Sequence, residues 1–323
     1  MIDFTFTEEQ EMFRKAAQEF GETQVAPKVP EMEKTGKASQ ELVKAMAEAE
    51  MMALTIPEEY GGLGLGYTAR FIALEEISKV SVAAGMMLQV FALGIEPILK
   101  FGTDAQKKKF LPGLASGERM ASTAVTETTG GSDPTGIRST YKKDGEDYIL
   151  NGRKCFITNS HIADTITVLA KDDENPKAFS TFIMEKGMEG FKATHEENKV
   201  GMRGCNTGEL AYENCRVPKE NILGEVGNGY KVAIETLNEG RIGIGAQMVG
   251  LAQGVFDYGV QYTKEREQFG KPISSFQGLQ FQLAQAGTEL EAARLMVYNA
   301  ARLKEAGKSF VKESAMAKLY SSQ

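Results

Sequence analysis

Ala124-Val125-Thr126-Glu127-Thr128-Thr129-Gly130-Gly131-Ser132-Asp133-Pro134-Thr135-Gly136 is the stretch at which this chain changes character. Before it, apolar residues recur at helical spacing. After it, they alternate as in strands. Four hydroxyls, on Thr126, Thr128, Thr129 and Ser132, can each donate and accept a hydrogen bond. Gly130 and Gly131 can reach positive φ and let backbone N–H groups close on an anion. The run suits a flat polar cofactor or a phosphate, and it equally suits a polar surface loop between a helix and a strand.

Upstream, Thr7 and Gln10 form a capping box, and Phe13, Ala16, Ala17 and Phe20 follow on one helical face. Pro27 and Pro30 are expected to end that helical region. Ser39 to Met52 repeats the pattern through Leu42, Val43, Met46 and Ala49. A proline- and glycine-rich turn, Ile56 to Gly64, precedes two helices at about Thr68–Lys79 and Val82–Lys100. Thr103 and Gln106 open the next helix, which carries Lys107-Lys108-Lys109 on a solvated face. Met87, Leu88, Val90, Phe91 and Leu93 read as helix core, with an acyl pocket as the alternative.

Downstream, β-branched and aromatic residues rise, and Asp144-Gly145 and Asn151-Gly152 are both hairpin signals. Strands are expected at Tyr148–Leu150, Lys154–Asn159, Thr165–Leu169, Phe179–Met184 and Glu209–Asn214. From Tyr230 to Arg266 one long helix is expected, rich in glycine at Gly240, Gly243, Gly245 and Gly250. Glycine costs about 1 kcal/mol in a helix, so several together point to close packing. Gly270-Lys271-Pro272 breaks it. Phe276 to Leu303 forms a second long helix, Gly307 caps it, and Phe310 to Gln323 begins a third. Its period still runs at Ser322-Gln323, so the last bundle is expected to be incomplete within this sequence. The fold class is therefore α+β. An N-terminal α-helical domain spans residues 1–121, a middle antiparallel β domain 122–226 and a C-terminal helical bundle 227–323.

The length of 323 residues calls for two or three domains rather than one core. A net charge of -7 argues against nucleic acid as the main partner, because phosphate binding wants a basic surface. Cys155, Cys205 and Cys215 lack C-x-x-C spacing, and only His161 and His195 accompany them, so no metal-site pattern exists. Few cysteines suit a reducing compartment. The first residues carry no basic and apolar leader, and no uninterrupted apolar run reaches membrane-spanning length. A cytoplasmic protein is expected.

Several motifs now occur in order. They are Pro57-Glu58-Glu59-Tyr60-Gly61-Gly62, the stretch Ala124 to Asp133, Asn151-Gly152-Arg153-Lys154, Val217-Pro218 with Asn221-Ile222-Leu223-Gly224, Gly240-Arg241, and Arg266-Glu267-Gln268-Phe269-Gly270. Together they resemble the acyl-CoA dehydrogenase family over the whole chain, and its short-chain and short-branched-chain members most. The resemblance implies FAD as cofactor, an acyl-CoA substrate and a trans-2-enoyl-CoA product. It also implies electron transfer to an electron-transferring flavoprotein and a homo-oligomer, a dimer or dimer of dimers. It further implies that Thr123, Val125, Thr126, Gly131 and Ser132 line the FAD, with Ser132 also near the CoA entry. Phe156, Ile157 and Thr158 match a second flavin segment. Arg266, Gln268, Phe269, Phe276 and Gln277 would hold the FAD of a neighbouring subunit. Asn238 and Arg241 would face the acyl-CoA, with an ion pair from Arg241 to Glu239 or Glu235 as the alternative.

Thr128 and Thr129 depart from the family's usual proline and glycine and are expected to loosen the loop. Thr123 and Phe156 replace aromatic residues common there. The catalytic residue is unknown: the family's usual glutamate lies beyond position 323, and its alternative position is Gly240 here. Glu239 is a weak substitute, read rather as a helix-surface or substrate-lining residue. Two other readings follow from that gap, a non-catalytic flavin or acyl-CoA binding protein and an acyl-CoA oxidase.

Overall fold

The structure is a computed structural model that describes residues 5–323. Its elements are α1 (Glu8–Phe20), α2 (Val29–Thr35), α3 (Gln40–Glu48), α4 (Gly66–Val80), α5 (Val82–Phe101) and α6 (Asp104–Ala115), followed by strands. These are β1 (Ala121–Ala124), β2 (Thr140–Asp144), β3 (Asp147–Thr158), β4 (Thr165–Asp172), β5 (Phe179–Glu185), β6 (Phe191–Glu196), β7 (Thr207–Val217) and β8 (Ile222–Leu223). Then come α7 (Gly229–Glu265), a small hairpin of β9 (Glu267–Gln268) and β10 (Lys271–Pro272), α8 (Gln277–Glu305) and α9 (Val311–Ser321).

The chain divides into two compact units. One holds the chain up to Val29, Leu65–Met86 and Arg241–Gln323; the other holds Pro30–Gly64 and Met87–Gly240.

The first unit is helical. The Thr7–Gln10 capping box closes reciprocally at the start of α1, satisfying two N–H groups the helix leaves open. Pro27 does not end the helical region. A π-helical turn at Gly21–Val25 and a 3₁₀ turn at Ala26–Lys28 absorb its missing N–H, and the chain stays helical to Thr35. Gly250 and Gly254, one turn apart, bring α7 onto the backbone of α4. A Cβ on Gly250 would stand 2.2 Å from the Glu75 carbonyl oxygen, and one on Gly254 2.1 Å from that of Lys79. A polar cluster around two buried glutamates ties α8 and α1 to α4. Arg294 Nε donates to Glu75 Oε1 at 2.8 Å, Tyr298 OH to Glu75 Oε2 at 2.7 Å and Arg14 Nε to Glu76 Oε1 at 2.8 Å. Gly307, at φ 65°, ends α8, with Lys308 N–H donating to the Leu303 carbonyl at 2.9 Å and Gly307 N–H to that of Lys304 at 3.0 Å.

The second unit is built on an eight-stranded sheet in the order β6-β7-β3-β2-β4-β5-β8, with β1 also against β4. Most pairs are antiparallel, as expected, but β4 runs parallel to both β1 and β2. The core between its faces includes Tyr141, Tyr148, Leu150, Ile157, Val168, Phe182 and Tyr212. Tyr141 meets Phe182 edge-on with centroids 5.1 Å apart. The Asp144-Gly145 signal does mark a hairpin, but its two turn residues are Gly145, at φ 66°, and Glu146, with Asp144 paired to Asp147. Asn151-Gly152 does not turn. β3 runs straight through it with a bulge, because Gly152 lies against Ser139, where a Cβ would come 2.2 Å from Oγ. The Asn151 side chain instead accepts the Asn214 N–H at 2.7 Å. The helix after Ser39 stops at Glu48, leaving Ala49 exposed.

Among the described residues α5 alone is long and apolar enough on average to cross a membrane, but Gln89, Glu96 and Lys100 interrupt it, so the expectation that no uninterrupted apolar run reaches that length stands. Its apolar residues are largely buried in the protein, so Met87, Leu88, Val90 and Phe91 are core, as expected.

Candidate functional site

The Ala124–Gly136 stretch starts on the last residue of β1 and leaves the sheet at Val125. Glu127 to Gly130 is a closed turn, with Glu127 N–H on the Gly130 carbonyl at 2.9 Å and Gly130 N–H on that of Glu127 at 3.2 Å. Thr128 and Thr129 therefore do not open the loop. Gly130 lies against Gly136, where a Cβ would meet the Gly136 carbonyl carbon at 2.8 Å. Asp133 caps the following 3₁₀ turn through Thr135 N–H at 2.9 Å. Thr128, Thr129, Gly131 and Ser132 face solvent, while Thr123, Val125 and Thr126 are half-buried.

The structure brings the second expected segment beside it. Cys155 N–H donates to the Thr126 carbonyl at 3.0 Å, and Ser122 Oγ to that of Thr158 at 2.6 Å. Thr167 Oγ1 donates to Thr123 Oγ1 at 3.0 Å. The register of β3 against β7 shifts between Lys154 and Ile157. That bulge turns Phe156 outward at φ 57°, leaving it 64% exposed, while Ile157 packs inward at 3%. A left-handed aromatic residue on a sheet surface is held there against its own preference, the kind of strain found at ligand sites. Asn159, also left-handed at φ 62°, is fully buried; its Nδ2 donates to the Met87 carbonyl at 3.1 Å, and its Oδ1 has no partner among the described residues.

The Cys155–Thr126 hydrogen bond thus brings half-buried Thr126 and the exposed Gly131-Ser132 pair that follows its turn close to the part of β3 that carries the exposed Phe156 ring and half-buried Thr158. A Cβ on Gly131 would meet only Thr126 Cγ2, at 3.5 Å. Such a set fits a flat polar ring system with a phosphate tail.

The same unit holds Asn238 and Glu239, both buried in α7, so a helix-surface position for Glu239 is corrected: it is 1% exposed. Gly240 packs on α5, where a Cβ would stand 2.9 Å from Leu93 Cδ2. Glu235 pairs with Lys100.

In the other unit, Arg241 is half-buried in α7. Arg266, Gln268 and Phe269 form the β9–β10 hairpin, whose turn has Phe269 at φ 54° and Gly270 at φ 75°. Phe269 is 90% exposed and meets Phe276 edge-on at 6.1 Å; Lys271 Nζ sits 4.5 Å from the Phe276 ring centre. Gln277 is exposed at the start of α8.

Two residues that lie within the motifs but carry no role in them hold the turn from beneath. Lys154 Nζ donates to Glu127 Oε1 at 2.7 Å and to the Val125 carbonyl at 3.0 Å. Desolvation pulls the lysine down to about 8, with Glu127 offsetting part of that fall. Desolvation pushes Glu127 up, but the Lys154 charge and hydrogen bonds from Lys154, Ser139 and Arg138 outweigh it and leave the carboxyl below its ordinary range. The signal was a lysine in phase with the inward Tyr148 and Leu150 of a strand.

Models of the acyl-CoA dehydrogenase N-terminal, middle and C-terminal domains match residues 7–118, 122–215 and 227–323. The short/branched chain specific acyl-CoA dehydrogenase of Bos taurus is 42% identical over 99% of this chain and 74% of its own. Butyryl-CoA dehydrogenase from Megasphaera elsdenii superposes with a TM-score of 0.97 at 38% identity, over 99% of this chain and 86% of that one. A chain in the structure of the electron-transferring flavoprotein of Acidaminococcus fermentans superposes with a TM-score of 0.97 at 44% identity, over 99% and 85%.

Proposed function

This chain belongs to the acyl-CoA dehydrogenase family of FAD-dependent flavoproteins, and we propose that it dehydrogenates a short- or branched-chain acyl-CoA to the trans-2-enoyl-CoA. The observation that carries the reading is the Cys155–Thr126 hydrogen bond that brings the Val125–Ser132 segment close to the outward-turned Phe156. FAD, when bound, supplies the hydride acceptor.

Phe156 offers its ring to the flavin face, the Thr126 and Thr158 hydroxyls offer hydrogen bonds to its edge, and the Gly131–Ser132 backbone offers N–H groups to the phosphates. Arg266, Gln268, Phe269, Phe276 and Gln277 serve the FAD of a neighbouring copy, which makes the working form a homo-oligomer, a dimer of dimers. Electrons pass to an electron-transferring flavoprotein; the superposition on a chain from such a protein's structure supports that partner. The three sequence domains are read at 1–121, 122–226 and 227–323, and the protein is read as cytoplasmic.

Removing the α-proton of a thioester needs a carboxylate with access to it. Glu239 is enclosed, which favours a structural role for it. That enclosure also supports a second reading, a flavin or acyl-CoA binding protein without turnover. Anaerobic titration of the FAD-loaded protein with butyryl-CoA and 2-methylbutyryl-CoA separates them. Bleaching of the flavin band supports the dehydrogenase. Bound flavin that neither compound bleaches overturns it and supports the binding protein, and rapid re-oxidation by air marks an oxidase.

A further inference from the structure

Lys154 and Glu127 lie beneath the cofactor segment with side chains 0% and 6% exposed. A buried ion pair is a poor stabilising device: desolvating two charges consumes most of their attraction, and an apolar pair of equal volume does as well or better. This pair is more than an isolated contact. Glu127 Oε2 accepts the Arg138 N–H at 2.6 Å, its Oε1 accepts the Ser139 N–H at 3.1 Å, and Ser139 Oγ accepts from Tyr212 OH at 2.6 Å. The carboxylate is anchored to the start of β2, and its remaining acceptor capacity orients the lysine.

The free geometry of Lys154 is then spent on one backbone group, the Val125 carbonyl at 3.0 Å. The next carbonyl, on Thr126, takes the Cys155 N–H at 3.0 Å. Both carbonyls of this dipeptide are held from the β3 side, one by a main-chain donor and one by a side-chain ammonium. Val125 lies past the end of β1, where no ladder partner supplies a donor. Without the ammonium its part-buried carbonyl has to find another donor, and the peptide plane turns with it.

We propose that Lys154, oriented by Glu127, is the positioning residue of the flavin segment: its Nζ fixes the Val125 carbonyl and so the direction in which the Val125–Thr126 backbone and the Thr126 hydroxyl meet the cofactor. The inference rests on the reading of Val125 and Thr126 as flavin contacts. It separates two duties of one lysine, since neutralising Glu127 and holding Val125 are removed together by Lys154→Met, but only the first is relieved by adding Glu127→Gln.

FAD affinity, the visible spectrum of the bound flavin and the denaturant midpoint are measured for the parent chain, Lys154→Met and Lys154→Met/Glu127→Gln. Lys154→Met is expected to bind FAD at least tenfold more weakly, with absorption bands moved toward those of free FAD. The double variant is expected to regain most of the midpoint while its affinity stays at least tenfold down. Regained midpoint together with regained affinity and spectrum overturns the proposal, because the pair then serves stability alone. Parent-like affinity and spectrum in Lys154→Met overturn it as well. A parent chain that binds no FAD overturns the flavin reading and the proposal with it. Should Lys154→Met not fold, the double variant decides by the same affinity criterion.

Discussion

Lys154 Nζ stands 2.7 Å from Glu127 Oε1, and both side chains are out of water. Removing the lysine alone leaves a buried carboxylate without its counter-charge. Lys154→Met should therefore cost about 3–5 kcal/mol of unfolding free energy, read from denaturant titration. A loss under about 1 kcal/mol would show that water reaches the carboxylate.

The same lysine gives stability a pH dependence on the alkaline side. Burial lowers it to about 8 in the folded protein, while the unfolded chain keeps the ordinary value of 10.5. Between those values the unfolded state holds more protons, so this group makes stability rise with pH. The unfolding free energy of the parent should gain on that of Lys154→Met from pH 8 to pH 10; a constant difference refutes the shift. Glu127 acts at the acid end: its folded value is lowered, so its contribution is present above the unfolded value and is lost as pH falls through the folded one.

Gly250→Ala should destabilise although alanine favours helix. The added Cβ would stand 2.2 Å from the Glu75 carbonyl oxygen, so α7 and α4 must part. Overpacking of this kind costs about 1–3 kcal/mol, against a propensity gain of about 1 kcal/mol. Thermal melting checks it, and an unchanged or higher midpoint would show that the helices separate freely.

Tyr298→Phe removes the donor to Glu75 Oε2 at 2.7 Å in a buried cluster that keeps Arg294 on the other oxygen. A hydrogen bond to a charged group is worth about 1.5–3 kcal/mol, and that loss is expected in denaturant unfolding. A near-neutral result would mean that the phenol is replaced by water.

Thr128→Pro should stabilise by about 0.4–1 kcal/mol. Thr128 follows the first residue of the closed Glu127–Gly130 turn, and neither Thr128 nor Thr129 has positive φ, which places the turn among those that favour proline at this position. A lower melting midpoint would show that Thr128 N–H serves the fold.

Much of the architecture was legible because it rests on local chemistry. Capping boxes at Thr7–Gln10 and Thr103–Gln106, the Asp144-Gly145 turn and the long helices on either side of the β part each depend on neighbours a few residues apart. Asn151-Gly152 misled because its turn propensity is real, yet Ser139 and Asn214 lie against it and bind it into β3. Pro27 misled for a related reason: a π turn and a 3₁₀ turn accommodate a proline without ending the helical path.

The site divides along the same line. Its residue types, the hydroxyl- and glycine-rich run from Thr126 to Ser132 and the Phe156-Ile157-Thr158 triplet, are chemistry carried by the chain itself, and so is the family. Their adjacency is not, because thirty residues and three strand pairings separate Thr126 from Phe156. The outward turn of Phe156 comes from a register shift against β7, which no local pattern encodes. The burial of Lys154 against Glu127 follows from the same sheet: strand phase points the lysine inward, but only the folded turn supplies the carboxylate that lets it stay there.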